Sequence, residues 1–347
     1  MSESLPAQRA AVSWKPLLKW LLFTIVLIFV AKYGYRQWQQ MDFSAVRWEP
    51  QWLFVAIVLY FIGWIPSAWA WWWLLHAAGQ RIPFYPALRA HYCGHLGKYA
   101  PGKALALIIR AAMVREHGVS AAFAALLGTV ETLVTMATGL LVLIALLPLV
   151  LALGDASALV RLFPVLKMFL ALSFVEQTLV SLGVLLLAIL AAPLSARVLT
   201  RLVRRISRRY NIPIGPAGSP SDAVLKLNTR TLLICGTAAT VCWVVNGLSL
   251  GCVLAGMSLP PTSLLDPLLW ICAVAGATSL GFVVLFAPGG LGVREAVLVA
   301  LLQISPGIDA SLAVVIAVLL RIVSLLSELV FAGVLYWFPV KADRSPD

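Results

Sequence analysis

Charged residues are scarce in this chain of 347 residues, at 12% of the total, which is about half the share found in an ordinary soluble domain. Hydrophobic residues make up 61% of the sequence, and the mean hydropathy is +0.95. Several apolar runs exceed the roughly 18 residues that mark a membrane-spanning helix. The composition therefore excludes a soluble globular enzyme and predicts a polytopic membrane protein.

Acidic residues and paired cysteines are also few. The chain has 14 Asp and Glu residues against 26 Lys and Arg, so its formal net charge is +12. The basic residues flank the apolar runs, where they attract anionic lipid headgroups, and nucleic acid is not expected as a partner. The 5 cysteines form no CxxC pair, so no disulfide framework is expected. His91, Cys93 and His95 alternate without a further ligand nearby, so neither a metal nor a cofactor is expected.

Long apolar runs predict an all-α membrane bundle. Full-length spans are predicted at residues 17–35, 51–75, 119–151, 165–192, 229–256 and 310–338. Two further apolar segments, 83–115 and 264–304, are each broken by a Pro-Gly pair. The bundle is therefore predicted to have six to eight spans. Glu176 falls in the middle of the run 165–192.

The segment 193–228 is predicted to be a basic loop. It carries Arg197, Arg201, Arg204, Arg205, Arg208 and Arg209. Short basic loops stay in the cytoplasm, so alternation of the spans places both termini in the cytoplasm of a protein in the cell (inner) membrane. An aromatic belt is then expected at the cytoplasmic end of the second span, formed by Trp69, Trp71, Trp72 and Trp73.

The two broken segments share a pattern, which is seen in KYAPGKALALIIRAAMVRE and LFAPGGLGVREAVLVALLQ. Each has an aromatic residue, then Ala-Pro-Gly, then a helix-forming run with an arginine. Each lies between two spans, so one integral membrane domain, 1–347, divides into halves at about 51–151 and 229–338. Because the first spans of the halves cross in opposite directions, the pattern predicts an inverted repeat with two re-entrant hairpins. Whether 264–304 is such a hairpin or two true spans is left open, since both give the same topology.

A Pro-Gly break leaves the first amides of the next helix without intrahelical partners. Lipid cannot satisfy these amides, and together with the helix dipole they favour an anion. The predicted substrate-binding residues of the two breaks are Lys98, Pro101, Gly102, Lys103, Arg110, Pro288, Gly289, Gly290, Arg294 and Glu295. The spacing of Gly97, Gly102 and Lys103 also resembles a nucleotide P-loop. Nucleotide binding is excluded because Ala104 replaces the required hydroxyl and no strand precedes the motif.

Charged side chains inside apolar runs cost about 3 kcal/mol each on insertion scales, so each invites an explanation. Glu131 forms a polar stripe on one helix face with Thr135 and Thr138, and a second stripe contains Arg321, Ser324 and Glu328. Glu131, Arg321 and Glu328 are therefore predicted to belong to a polar, substrate-binding cavity. The alternative is that they form structural ion pairs within the bundle.

The pairing of GHLGKYAPGKALALIIRAAMVREHGVS with FAPGGLGVREAVLVALL resembles the flippase-like transmembrane domain of the lysylphosphatidylglycerol synthase/flippase family. The resemblance covers about residues 15–338, and residues 288–296 are its more specific half. It implies a membrane-embedded lipid translocator with re-entrant helices that line a cavity. The aminoacylating relatives carry a large cytoplasmic synthase domain after the membrane part. This chain ends at Asp347, so we expect no aminoacyl-transferase activity.

We therefore expect a translocator without catalytic residues, and not an enzyme. Its expected substrate is a lipid with an anionic headgroup of the phospholipid or polyprenyl-phosphate type. One alternative is an integral-membrane transferase of lipid-linked groups, although Asp222 is the only acid in the segment 193–228. The other is a non-transporting scaffold for an envelope-biosynthesis enzyme that makes cell-envelope lipid or glycan.

Overall fold

The computed structural model describes residues 47–99, 104–213, 227–259, 261–283, 290 and 292–338. Within these ranges the chain folds into eleven α-helices and two short 3-10 helices, without a β-strand. The predicted all-α class is therefore confirmed. The predicted first span, 17–35, lies outside the described residues.

The helices differ widely in length. In chain order they are α1 Pro50–Ala77, α2 Phe84–His95, α3 Ala104–Val114, α4 Ala121–Leu151, α5 Ser157–Leu162, α6 Leu166–Leu170, α7 Phe174–Arg209, α8 Thr229–Ala255, α9 Asp266–Val283, α10 Val293–Leu302 and α11 Ala310–Trp337. The 3-10 helices are Leu96–Tyr99 and Arg115–His117. Among the described residues, six helices are long and apolar enough to cross a membrane, namely α1, α4, α7, α8, α9 and α11.

Several helices begin at a residue whose side chain satisfies a free amide of the first turn. The Asn228 carboxamide oxygen accepts from the Thr231 amide at 2.8 Å and so starts α8. Asp309 does the same for α11, where its carboxylate accepts from the Leu312 amide at 2.8 Å. Such caps fix where a helix starts and are each worth about 1 kcal/mol.

The core of the bundle is built on α1 and α8, which pack along each other, with α4, α9 and α11 around them. Trp71 of α1 and Trp243 of α8 are fully buried. The Trp243 indole donates to the Thr135 carbonyl at 3.1 Å, and Trp71 donates to the Ala124 carbonyl at 3.3 Å. Trp71 is therefore a core residue, which corrects its predicted place in an interfacial belt.

The described part of the first broken segment forms two short helices, as its sequence predicts, while their re-entrant placement stays a prediction. Helices α2 and α3 have 12 and 11 residues, so each is about 17 Å long, well short of the roughly 30 Å hydrocarbon core. They pack against each other, and Gly97 makes the close approach possible. A Cβ on Gly97 would lie only 2.6 Å from the Cα of Ala106 on the opposite arm.

The second broken segment is asymmetric. Helix α9 has 18 residues and qualifies as a span, whereas α10 has only 10 residues and is too short to cross on its own. The described part of the segment 264–304 therefore contains one helix that is long enough to cross a membrane and one that is not. Gly290 precedes α10 with a φ of 72°, and a Cβ there would lie 3.1 Å from the Gly281 carbonyl oxygen of α9.

Two expectations for the middle of the chain were wrong. The predicted span 165–192 is divided between the short helix α6 and the 36-residue helix α7, which continues to Arg209. Residues 193–209 of the predicted loop 193–228 are therefore helical. Glu176 lies in the first turn of α7, where it forms a capping box with Ser173, and not in the middle of a span. The capping box fixes the start of α7 here, so no continuous helix runs through residues 171–173.

Candidate functional site

A cavity of about 390 Å³ lies inside the bundle, where both broken segments meet the long helices. Helices α1, α2, α3, α4, α9 and α10 all contribute to its wall. Much of the wall is apolar, including Trp64, Leu107 and Met136, but several charged side chains also reach it. A cavity of this kind combines a surface that suits hydrocarbon with a few fixed charges that can orient a polar group.

Arg110 and Glu131 form a buried ion pair at this cavity. The Arg110 Nη1 donates to Glu131 Oε2 at 2.9 Å, and the two residues are 5% and 2% exposed. Glu131 also accepts from the Ser67 hydroxyl and from the Thr135 hydroxyl, the latter at 3.2 Å. The Arg110 guanidinium carbon lies 5.8 Å from the centroid of the Trp71 ring, within cation–π range. These contacts hold Arg110 in one place and neutralise its charge.

A second ion pair joins the two predicted halves of the chain. Lys98, in the 3-10 helix after α2, donates to Glu328 of α11, and the Tyr60 hydroxyl of α1 donates to the same carboxylate oxygen at 2.9 Å. Glu328 is 2% exposed, and Lys98 lines the cavity. The pair therefore fixes the tip of the first hairpin against the last helix.

Arg294 is buried at the cavity, and no carboxylate among the described residues pairs with it. It is 9% exposed and lies in the first turn of α10. Gly281 of α9 makes room for it, since a Cβ there would lie 3.0 Å from the Arg294 Cβ. Its neighbour Glu295 instead accepts from the Gly292 amide at 2.7 Å and lies 4.0 Å from Arg321. Within the described ranges, Arg294 therefore contributes an uncompensated positive charge to the cavity.

Eight of the predicted site residues are described, and the structure brings six of these together. Those that line the cavity are Lys98, Arg110, Glu131, Gly290 and Arg294. Glu328 does not line the cavity but forms an ion pair with Lys98. Glu295 and Arg321 do not line it and form the looser pair described above. Outside the described residues lie Pro101, Gly102, Lys103, Pro288 and Gly289.

Sequence reasoning missed several residues that hold the site. Tyr60, Ser67 and Trp71 all lie on α1, where they contact the charged residues at the cavity. Their spacing of seven and then four residues puts them on one face of that helix. That spacing could have indicated a polar face on α1. In so apolar a helix, however, it looks the same as a face that only packs against other helices.

The comparisons with known proteins agree with this picture. The profile of the family described as Lysylphosphatidylglycerol synthase TM region matches residues 17–332, nearly the whole chain. A comparison with curated proteins finds no match. The chain belongs to the lysylphosphatidylglycerol synthase TM region family, and with six candidate spans in its described part it is a multi-pass membrane protein. Membership supports a function that concerns membrane lipids.

Proposed function

We propose that this member of the lysylphosphatidylglycerol synthase TM region family moves a lipid with an anionic headgroup between the leaflets of the cell (inner) membrane. The observation that carries the proposal is the buried, uncompensated charge of Arg294 at the cavity. The protein acts as a translocator and not as an enzyme. Its termini and the basic end of α7 face the cytoplasm in this proposal, following the distribution of positive charge.

An unpaired buried guanidinium is costly, because it has lost most of its hydration without gaining a counter-ion. An anionic headgroup removes that cost when it enters the cavity. Phosphate suits the site well, since a guanidinium can donate two parallel hydrogen bonds to it. Arg110 and Lys98 lie at the same cavity and add positive potential, although each is already paired with a carboxylate.

The size and lining of the cavity fit a headgroup rather than a whole lipid. Its volume of about 390 Å³ is at the lower end of the range of small-molecule sites, about 300–1,000 Å³. The acyl chains would stay in the hydrocarbon while the headgroup passes through the charged cavity. The path therefore avoids the desolvation that stops an ionic headgroup from crossing a bilayer unaided.

The test is lipid movement by the purified protein in liposomes that contain fluorescent phosphatidylglycerol. Exchange between leaflets is followed by the loss of fluorescence when a membrane-impermeant quencher is added outside. The wild-type protein is expected to accelerate exchange, and Arg294→Ala is expected to slow it at least tenfold. The magnitude follows because a hydrogen bond to a charged group is worth about 1.5–3 kcal/mol.

Arg205→Ala is the matched control, since Arg205 is exposed on α7 and does not line the cavity. It is expected to leave the rate unchanged. Failure of the wild-type protein to accelerate exchange of phosphatidylglycerol or of a polyprenyl phosphate would refute the proposal. Formation of a new lipid product in the same liposomes would favour the transferase instead.

A further inference from the structure

Two buried histidines lie beside the cavity and have no role in the headgroup contacts described above. His91 and His95 are one turn apart on α2 and are 0% and 7% exposed. Their ring centroids are 4.7 Å apart. His95 forms part of the cavity wall, next to Trp64.

The ring nitrogens of this pair are poorly satisfied. Both nitrogens of His91 and the Nδ1 of His95 lack a hydrogen-bond partner among the described residues. The nearest acidic atom is Glu131 Oε1, which lies 3.9 Å from His91 Nε2. That separation is too long for a hydrogen bond. Buried polar atoms normally have partners, so these ring nitrogens are available to a proton or to a hydrogen-bonding group that enters the cavity.

The histidines connect Glu131 to the cavity. Glu131 faces His91, His91 packs on His95, and His95 reaches the cavity wall. Histidine is the side chain that most readily exchanges a proton near neutral pH. Glu131, His91 and His95 can therefore hold a proton at successive positions between the buried carboxylate and the cavity.

The charged and titratable groups around His91 and His95 come from several elements. Helix α3 presents Arg110, the 3-10 helix presents Lys98, and α4 presents Glu131. The other packed elements contribute Tyr60 of α1, Cys242 of α8 and Glu328 of α11, with Tyr92 and Cys93 on α2 itself. Because Arg110 neutralises Glu131, the cations nearby leave a positive potential at both rings.

We infer that His91 and His95 take up a proton when an anionic headgroup occupies the cavity, so that headgroup and proton cross together. An anion among Arg294, Arg110 and Lys98 reverses the potential at the rings. If it also draws Arg110 toward itself, Glu131 is left facing His91, and a protonated imidazole then replaces the guanidinium as its partner. The negative charge of the headgroup and the positive charge of the proton balance. This inference rests on the proposed function.

The first test measures proton uptake on binding. Short-chain phosphatidylglycerol is added to the detergent-solubilised protein in weak buffer with a pH-indicator dye near pH 7, and phosphatidylcholine is the neutral control. The wild-type protein is expected to take up about one proton per bound phosphatidylglycerol, while His91→Gln and His95→Gln take up much less. His117→Gln, in the second 3-10 helix and away from the cavity, serves as the histidine control and should behave as wild type. Equal uptake by all four proteins would overturn the assignment to His91 and His95.

The second test uses liposomes with a pH difference across the membrane. One-to-one coupling predicts that labelled phosphatidylglycerol distributes unequally, by about tenfold per unit of pH difference, because one pH unit corresponds to 1.36 kcal/mol per proton. The lipid should accumulate in the leaflet that faces the less acidic side. In His91→Gln the ratio is expected to fall to about one. Because this ratio is an equilibrium quantity, a variant that is merely slow would still reach the wild-type value.

The outcomes separate the two proposals. Lipid movement by the wild-type protein with a ratio that stays near one under the gradient would overturn proton coupling and leave the proposed function standing. No lipid movement under any condition would overturn both.

Discussion

At the scale of single residues, the arrangement around Glu131 shows how a buried acid is held in this bundle. It binds the guanidinium of Arg110 and accepts from the hydroxyls of Ser67 and Thr135. A desolvated pair of this kind stabilises the fold mainly because each charge spares the other from being buried alone. The free energy of unfolding should therefore change little when both charges are removed together.

A double-mutant cycle tests this reasoning. Arg110→Leu alone leaves the Glu131 carboxylate buried without its cation and is expected to cost about 3–5 kcal/mol of stability. Arg110→Leu combined with Glu131→Leu should regain most of that loss, because two apolar side chains tolerate the same surroundings. Thermal unfolding in detergent measures both effects. Strictly additive losses would show that the pair is not coupled.

The residues that were predicted and those that were missed differ in one respect. Lys98, Arg110 and Arg294 stand out because a cation interrupts an apolar run, and such an interruption is visible without a structure. Ser67 is not conspicuous, since its role depends on a partner 64 residues away on another helix. Partner identity is decided by packing between helices, which hydropathy does not encode.

At the scale of elements, the hairpin of α2 and α3 determines where Lys98 and Arg110 reach the cavity. The arms can approach because Gly94 and Gly97 carry no side chain where α3 passes. A Cβ on Gly94 would lie 2.9 Å from the Ala106 carbonyl oxygen, and one on Gly97 would be closer still to the same residue. Neither contact can be relieved by rotating a side chain, because the opposing atoms belong to the backbone.

Gly97→Ala is therefore expected to destabilise the protein by about 1–3 kcal/mol, the usual cost of overpacking. Gly183→Ala is a matched control within α7, since a Cβ there would meet nothing within 4 Å. It should leave stability unchanged or raise it by up to about 1 kcal/mol, because alanine favours a helix. Thermal midpoints of the two variants in the same detergent provide the comparison. A similar shift of both midpoints would contradict the close approach.

The long helices were easier to predict than the places where they begin and end. The spans near α1, α4, α8 and α11 follow from long, predominantly apolar runs. The start of α7 after the capping residue Ser173 was missed, although its Ser-x-x-Glu signal was present in the sequence. The short α10 was predicted from the helix-forming run that follows the second Pro-Gly break, and it begins at Val293.

At the scale of the whole molecule, the cavity lies where the two predicted halves meet. Lys98 and Tyr60 of the first half bind Glu328 of the second, and Arg294 of the second lines the same cavity as Arg110 of the first. The site therefore exists only when both halves are in place. The inverted orientation of the halves stays a prediction.

Labelling of introduced cysteines tests the predicted topology. Arg161 precedes α7 and Tyr210 follows it, and both are exposed. An impermeant thiol reagent is expected to label Arg161→Cys in intact cells, but Tyr210→Cys only after the membrane is permeabilised. The native background should be low, because four of the five native cysteines are buried and Cys252 is partly so. The reverse pattern would invert the orientation.

The uncompensated guanidinium of Arg294 has a consequence for the timing of each transport cycle. Its charge attracts an anionic headgroup into the cavity, so headgroup entry is fast. Under the proposed function, a lipid with a neutral headgroup lacks this attraction and should exchange between the leaflets more slowly than phosphatidylglycerol.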